Sequence, residues 1–242
     1  MSQVYEVKAK AKEQLANSIR RHIMTKNRMR SIGILMILIF VTGIFSIVYV
    51  LESPDYLVQL PTHLNEIYVG GGFQLAMVAI YMALIVLITP LIRDYGENLS
   101  KYFIASRSIS IAFHIIGIIL LMLFVPLSHA NVISSEGAYQ VIGDILRLGR
   151  DLTNHIGVII PYLIGSLIFY FVLLKENYTY KWLILLGYFG ISLALVSSIL
   201  ILFNIISIVS PIFIILSLPL AVQELLLAIV LIFRRVNVST NL

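Results

Sequence analysis

The sequence predicts an all-α polytopic membrane bundle with six transmembrane helices, both termini cytoplasmic, and an amphipathic interfacial helix at the N-terminus. Three observations predict it. The 242 residues are 60% hydrophobic and only 12% charged, whereas an ordinary soluble domain is roughly 25% charged; half the usual charge does not cover a globular surface. Six apolar stretches each reach the roughly 20 helical residues that a bilayer core of about 30 Å requires. The basic residues gather in one set of connections. A soluble enzyme, a disordered chain, a collagen and a disulfide scaffold are excluded, because the mean hydropathy is +0.98, the 14 glycines follow no triplet repeat and there is no cysteine.

The chain opens with a basic arm, residues 1–30. Val4, Val7 or Ala11, Leu15, Ile19 and Ile23 recur at three- and four-residue spacing with basic residues on the remaining face, the pattern of an amphipathic helix. Such a helix lies on anionic lipid headgroups, each Lys or Arg contributing about 1 kcal/mol; the alternative is a docking site for a cytosolic partner. The transmembrane domain follows over residues 31–235, and residues 236–242 form a short cytoplasmic tail.

The spans are Ser31–Leu51, Phe73–Ile92, Ile104–Leu127, His155–Leu174, Leu183–Asn204 and Ile212–Phe233. The first is too long for a cleavable signal sequence, thirty residues precede it, and no small-residue cleavage site follows. Fifteen of the 17 Lys and Arg residues fall on the side of the termini, only Arg147 and Arg150 opposite. By the positive-inside rule that side is cytoplasmic, which makes the chain a multi-pass protein of the cell membrane. The opposite loops carry Glu52, Asp55, Glu66, Glu136, Asp144 and Asp151, so the net charge of +5 averages two faces of opposite sign. The basic residues serve topology, and no nucleic-acid partner is expected.

Two outer connections carry their own patterns. Glu52–Gly72 holds Pro54, Pro61 and the run Gly70-Gly71-Gly72, expected to be a flexible turn into span two, since no phosphate-loop Lys-Ser/Thr follows. In the second, Tyr139, Ile142, Ile145, Leu146 and Leu152 form an apolar stripe beside Asp144, Arg147, Arg150 and Asp151. This predicts a helix lying on the outer surface or continuing into span four, placed to cover a cavity. Gly157 and Gly165 in span four and Gly187, Gly190, Ala194 and Ser198 in span five suit close helix contact. Pro161, Pro211 and Pro219 start or kink helices.

Charged groups at membrane depth cost several kcal/mol unless compensated, so they are functional candidates. Glu224 lies ten residues before Arg234-Arg235, about 15 Å at 1.5 Å per residue, near the bilayer centre. Arg107, Ser110 and His114 share one face of span three at i, i+3 and i+7, and His114 lies at a depth similar to that of Glu224. If spans three and six are neighbours, Arg107, His114 and Glu224 cluster. Gln223 and Asn204 can bridge helices, and His155 can line the outer mouth of a cavity. These groups either hold helices together or make a ligand or acid–base site, in which Glu224 and His114 are the catalytic candidates; both readings stay open. The histidine spacing does not fit a dihaem site. HExxH, GxSxG and CxxC motifs are absent, so no metal or cofactor is expected.

The second half resembles the DUF4386 family of bacterial integral membrane proteins, whose function is uncharacterised. The resemblance rests on Phe103-Ile104-Ala105-Ser106-Arg107, on His155-Ile156-Gly157 with the small-residue run to Gly165, and on Pro219-Leu220-Ala221-Val222-Gln223-Glu224-Leu225, similar to the family's closing Pro-x(4)-Glu-Leu pattern before a basic tail. It extends from about Met24 to the C-terminus, strongest after Ser100, and the first outer loop departs from the family's small, polar connection. It implies that Arg107, His155 and Glu224 recur in relatives, and it implies no reaction.

Three functions fit these features. The first is binding, sensing or moving a lipid or other amphiphile in a polar intramembrane cavity lined by Arg107, Ser110, His114, Gln223, Glu224 and His155. The second is an intramembrane enzyme acting on a lipid or isoprenoid with Glu224 and His114 as acid and base. The third is a proton-coupled transporter, although no repeat relates the two halves. The oligomeric state is not legible.

Overall fold

The computed structural model describes residues 2–130, 136–208 and 210–234, with side chains described from Met24 onward except at 130 and 136. The apolar face expected of the N-terminal arm, Arg235 and the tail at 236–242 therefore lie outside the described residues or side chains. Among the described residues every regular element is helical. The main helices are α1 (Ser2–Phe45), α2 (Tyr56–Gln59), α3 (Leu64–Arg93), α4 (Glu97–Met122), α5 (Phe124–Ala130), α6 (Glu136–Leu152), α7 (Ile160–Lys175), α8 (Lys181–Leu202) and α9 (Pro211–Phe233). Six helical segments are long and apolar enough to cross a membrane, carried by α1, α3, α4, α6 running into α7, α8 and α9. The N-terminal arm is helical and runs into span one without a break.

The six spans close into a ring in chain order. Each packs on its sequence neighbours, and α1 packs on both α3 and α9, so the last span returns to the first. Spans three and six, α4 and α9, therefore stand across the ring from each other. The neighbourhood on which a direct Arg107–Glu224–His114 cluster depends is not formed.

Local sequence explains where the spans stop. Ser210 caps α9 by accepting a hydrogen bond from the Phe213 N–H at 3.2 Å, with Pro211 in the first turn. Span four ends at Asn177 (φ 52°) and span five at Asn204 (φ 53°), both left-handed. Around them the Tyr178 N–H reaches the Leu173 carbonyl at 3.1 Å and the Ile205 N–H that of Leu200 at 2.9 Å. These are Schellman closures, in which asparagine takes the place glycine often fills. Asn204 is exposed and terminates a helix rather than bridging two.

Three boundaries differ from the hydropathy reading. Span one stops at Phe45 instead of Leu51, because Val48, Val50 and Leu51 turn inward into a buried cluster with Tyr56, Leu60, Ile67 and Phe124. The Gly70-Gly71-Gly72 run is not a flexible turn; it lies inside α3. A Cβ on Gly70 would come within 2.5 Å of Val48 and one on Gly71 within 2.5 Å of Met122, so these glycines admit close neighbours to an unbroken helix. Finally, α6 passes into span four through a π-helical segment, Thr153–Ile159, just before Pro161. Proline cannot donate to the preceding turn, and a widened turn accommodates it.

The two ends of the ring differ in charge. At one end the two long connections pack on each other: Tyr56 donates to Asp144 at 3.0 Å, the Arg147 guanidinium covers the Tyr56 ring, and Arg150 approaches Glu52 at 3.9 Å. Burial first, then Asp144, pushes the Tyr56 phenol above its ordinary pKa, so it remains a donor near neutrality. We call this the acidic end. At the other, basic end, Tyr95 donates to Glu176 and Arg234 lies over the Tyr180 ring. That end is filled by an apolar cluster that includes Met29, Ile92, Phe103, Leu173, Ile184 and Leu231.

Spans five and six meet at Gly190, where a Cβ would lie 2.8 Å from the Leu220 Cα, a backbone atom that cannot swing aside. Gly190→Val is expected to cost about 1–3 kcal/mol, read as a lower unfolding midpoint in detergent. Gly72→Ala, with no atom within 4 Å of the added carbon, is expected to hold or raise the midpoint.

Candidate functional site

The charge buried in the ring is Arg107, on α4. Its Nη2 donates to Ser166 Oγ of span four at 3.0 Å, and its guanidinium lies 3.9 Å from the centre of the Tyr162 ring. The side chain crosses span four at Gly165, where a Cβ would stand 2.6 Å from Nε. Glycine there is what lets the cation reach inward. On its far side, Tyr162 donates its hydroxyl to Glu224 Oε1 at 2.7 Å. Tyr162 therefore stands between the cation of span three and the carboxyl group of span six. Through its ring face and its hydroxyl it joins a guanidinium and a carboxyl group that form no direct ion pair.

The remaining expected residues divide into two groups. Ser110 donates to the Val158 carbonyl at 2.9 Å, in the π-helical segment whose regular bonding Pro161 interrupts. Gln223 is fully buried and accepts from Tyr170 at 2.8 Å, against Gly187 of α8. Both join helices and line neither cavity described below. By contrast, His114, His155 and Glu224 are among the residues that border cavities, His155 while itself buried. A chamber of about 460 Å³ opens at the acidic end, where its walls include Glu52, Arg150, Asp151, Asn154 and His155. A deeper chamber of about 280 Å³ lies below it, bordered by Tyr81, His114, Tyr162, Ser197, Ser217 and Glu224. Met77, His114, Asn154, Val158 and Phe213 line both, so the two chambers are neighbours that share a wall at His114.

His155 sits at the rim, with Nδ1 3.4 Å from Ser198 Oγ and its ring edge-on to Phe213. His114 is different: both ring nitrogens are buried and neither has a hydrogen-bond partner. Buried polar atoms are almost always paired; these two are covered by protein, so His114 borders the chambers through its other atoms. Tyr81 completes the wall, edge-on to both His114 and Tyr162. The apolar cluster of the basic end adjoins the deep chamber, with Leu163 and Ala194 as shared members.

Comparison with known proteins supplies a family. A family model described as a domain of unknown function, DUF4386, matches residues 31–234. The chain belongs to the DUF4386 family. No curated protein matches the chain, and no solved structure matches it. Among the described residues of this DUF4386 protein no group of three His, Cys, Asp or Glu side chains is placed to hold a metal ion.

Sequence reasoning misses Tyr162, Tyr81, Ser166 and Tyr170. A tyrosine scores as apolar, so a phenol at membrane depth does not stand out. The available signal is spacing: Tyr162, Ser166 and Tyr170 follow one another at i, i+4 and i+8 on one face of span four.

Two outcomes follow from this geometry. Tyr162→Phe keeps the ring beneath Arg107 and removes the hydrogen bond to Glu224, for an expected loss of about 1–3 kcal/mol; Tyr162→Leu removes both contacts and is expected to lower the unfolding midpoint further. Because the chain has no native cysteine, Ser217→Cys in the deep chamber gives a clean accessibility probe. In sealed vesicles a membrane-impermeant thiol reagent is expected to label it from the acidic end and not from the basic end.

Proposed function

We propose that this protein binds, and thereby senses or moves, an amphiphile that enters the ring from its acidic end, with His114 and Glu224 at the inner end of the site. The observation that carries this reading is the pair of neighbouring chambers that share part of their walls. Ligand pockets usually hold about 300–1,000 Å³, mostly apolar walls and a few convergent polar groups. The wider chamber, at about 460 Å³, falls in that range, and the 280 Å³ chamber extends it inward. Met77, Val158, Leu163, Phe213 and Leu220 supply hydrocarbon walls, while polar groups concentrate at the rim and at the inner end. Arg107 acts behind the wall by holding Tyr162, and through it Glu224; His155 shapes the rim.

The charge asymmetry supports the orientation. With the basic end cytoplasmic by the positive-inside rule, the protein sits in the cell membrane, its chambers face outward, and the arm rests on anionic headgroups of the inner leaflet. A second reading, an intramembrane enzyme using Glu224 and His114 as acid and base, is favoured by one observation: both groups border the same small chamber. It predicts that Glu224→Gln abolishes turnover of a bound lipid or isoprenoid without releasing it.

Native mass spectrometry on protein extracted in mild detergent tests the binding reading. The expected result is a lipid-sized adduct on the wild-type chain that Ala221→Trp, which fills the deep chamber, displaces. Val86→Trp, on a side chain 71% exposed on the outside of the ring, is expected to leave it in place. Absence of any adduct, or equal occupancy in both variants, refutes the reading.

A further inference from the structure

We infer that α6 is an interfacial anchor, its outward face covered by lipid at the hydrocarbon boundary of the leaflet at the acidic end. The inference goes beyond the ligand reading and does not depend on it. It begins with the direction in which the helix faces. Val141, Ile142, Ile145 and Leu148 are 45–64% exposed. At about 100° per residue they fall within about 120° of one another, on one side of α6. The opposite side is turned to the protein. There Gly143 lies against the Tyr56 hydroxyl, the Arg147 guanidinium covers the Tyr56 ring and Arg150 approaches Glu52 at 3.9 Å. Arg150 and Asp151 also line the wider chamber. A helix on a water-washed surface turns its apolar stripe to the core and its charges to solvent. In α6 the two are reversed, and a contiguous apolar stripe left exposed in this way marks a membrane or protein contact.

Depth decides for lipid. The apolar helical segment that contains α6 runs over Gly137–Lys175, 39 residues, which is roughly 58 Å at 1.5 Å per residue. The hydrocarbon to be crossed is about 30 Å thick, so α6 is surplus to one crossing. Its level is read from α4, which runs beside it. Lys101, exposed and paired with Glu97 at 3.0 Å, marks the headgroup level at the basic end. Leu120 lies nineteen residues further along α4, about 28 Å away and so one hydrocarbon thickness. Gly149 packs at that point, where an added Cβ would stand 3.7 Å from Leu120. Tyr56, on which Gly143 rests, is edge-on to Phe124 just past the end of α4. The stripe between Gly143 and Gly149 therefore lies at the hydrocarbon boundary. At the same level α4 itself is exposed and apolar at Ile116, Ile119 and Leu123. Interfacial helices usually offer Lys and Arg to anionic headgroups. Both arginines of α6 turn inward, so apolar contact and not charge holds it to the surface.

Site-directed spin labelling of the full chain in phosphatidylcholine vesicles tests this, since the protein has no cysteine of its own. Nitroxides at Ile145→Cys and Leu148→Cys are read for collisions with oxygen, which concentrates in lipid, and with a water-soluble nickel chelate. Val86→Cys, on a side chain 71% exposed on the outside of α3, gives the lipid reference. Asp55→Cys, at an exposed position of the first connection, gives the aqueous one. The expected result is an oxygen-to-nickel ratio at both α6 labels close to the lipid reference, unchanged when phosphatidylglycerol is added. Nickel collisions as frequent as at the aqueous reference place the stripe in water and overturn the inference. Infrequent collisions with both reagents show a covering of protein, a second copy or another chain, and overturn it equally. A lipid-like ratio seen only with phosphatidylglycerol overturns the role of apolar contact. Each label is read by itself, so the test holds even where one variant fails to fold.

Discussion

A guanidinium buried among membrane spans is the constraint around which the site is arranged. On insertion scales an arginine at the centre of a span costs about 2.5–3.5 kcal/mol, and Arg107 is too deeply embedded to escape, with only 9% of its surface exposed. Its compensation comes mainly from span four, through the Ser166 hydroxyl, the face of Tyr162 and the bare backbone at Gly165 that makes room for it, with the Phe103 ring of its own helix 5.6 Å away. A desolvated cation–π contact contributes about 2 kcal/mol, and a hydrogen bond to a charged group about 1.5–3 kcal/mol, which is the size of the cost. Fixing Tyr162 in this way also fixes its hydroxyl, and the hydroxyl positions Glu224. The carboxyl group that borders the deep chamber is thus held by a residue of span three that does not line it.

The ring arrangement makes this indirect linkage necessary. With spans three and six across from one another, a direct ion pair between Arg107 and Glu224 would fill the space between them. An intervening tyrosine holds the two apart while still coupling them, and a chamber bordered by Tyr162 and Glu224 remains in the interior. The two ends of the ring are then specialised. At the acidic end, short helical turns and α6 cap the bundle through Tyr56, Asp144, Glu52 and Arg150 and leave an opening. At the basic end, side chains that include Met29 and Leu231 pack into an apolar cluster.

Much of the fold is legible because lipid imposes strong, one-dimensional rules. Span number and approximate position follow from hydropathy alone, and the clustering of Lys and Arg follows from counting. Glu224 and Arg107 stand out because charge is so scarce. Even the small residues of spans four and five mark points of close approach, and Gly157, Gly165, Gly187 and Gly190 all abut neighbours in the structure. The glycine run at 70–72 misleads for a physical reason: three consecutive glycines suit a turn in water, whereas in a bundle they let an intact helix receive Val48 and Met122. Val48, Val50 and Leu51 mislead for another. Hydropathy records that a segment is apolar and is silent on whether lipid or protein covers it.

The sequence by itself therefore determined the class of protein, its six spans, the opposite charge of its two ends and which polar groups lie at membrane depth. Only the tertiary structure decided which of those groups meet. In a span both the lipid-facing and the core-facing sides are apolar, so periodicity does not show which face turns inward or which span lies beside which. That Ser110 and Gln223 join helices, that His114 and Glu224 border one chamber, and that Tyr162 stands between Arg107 and Glu224 are consequences of ring closure, which depends on contacts between residues as far apart in sequence as Gly33 and Ala228.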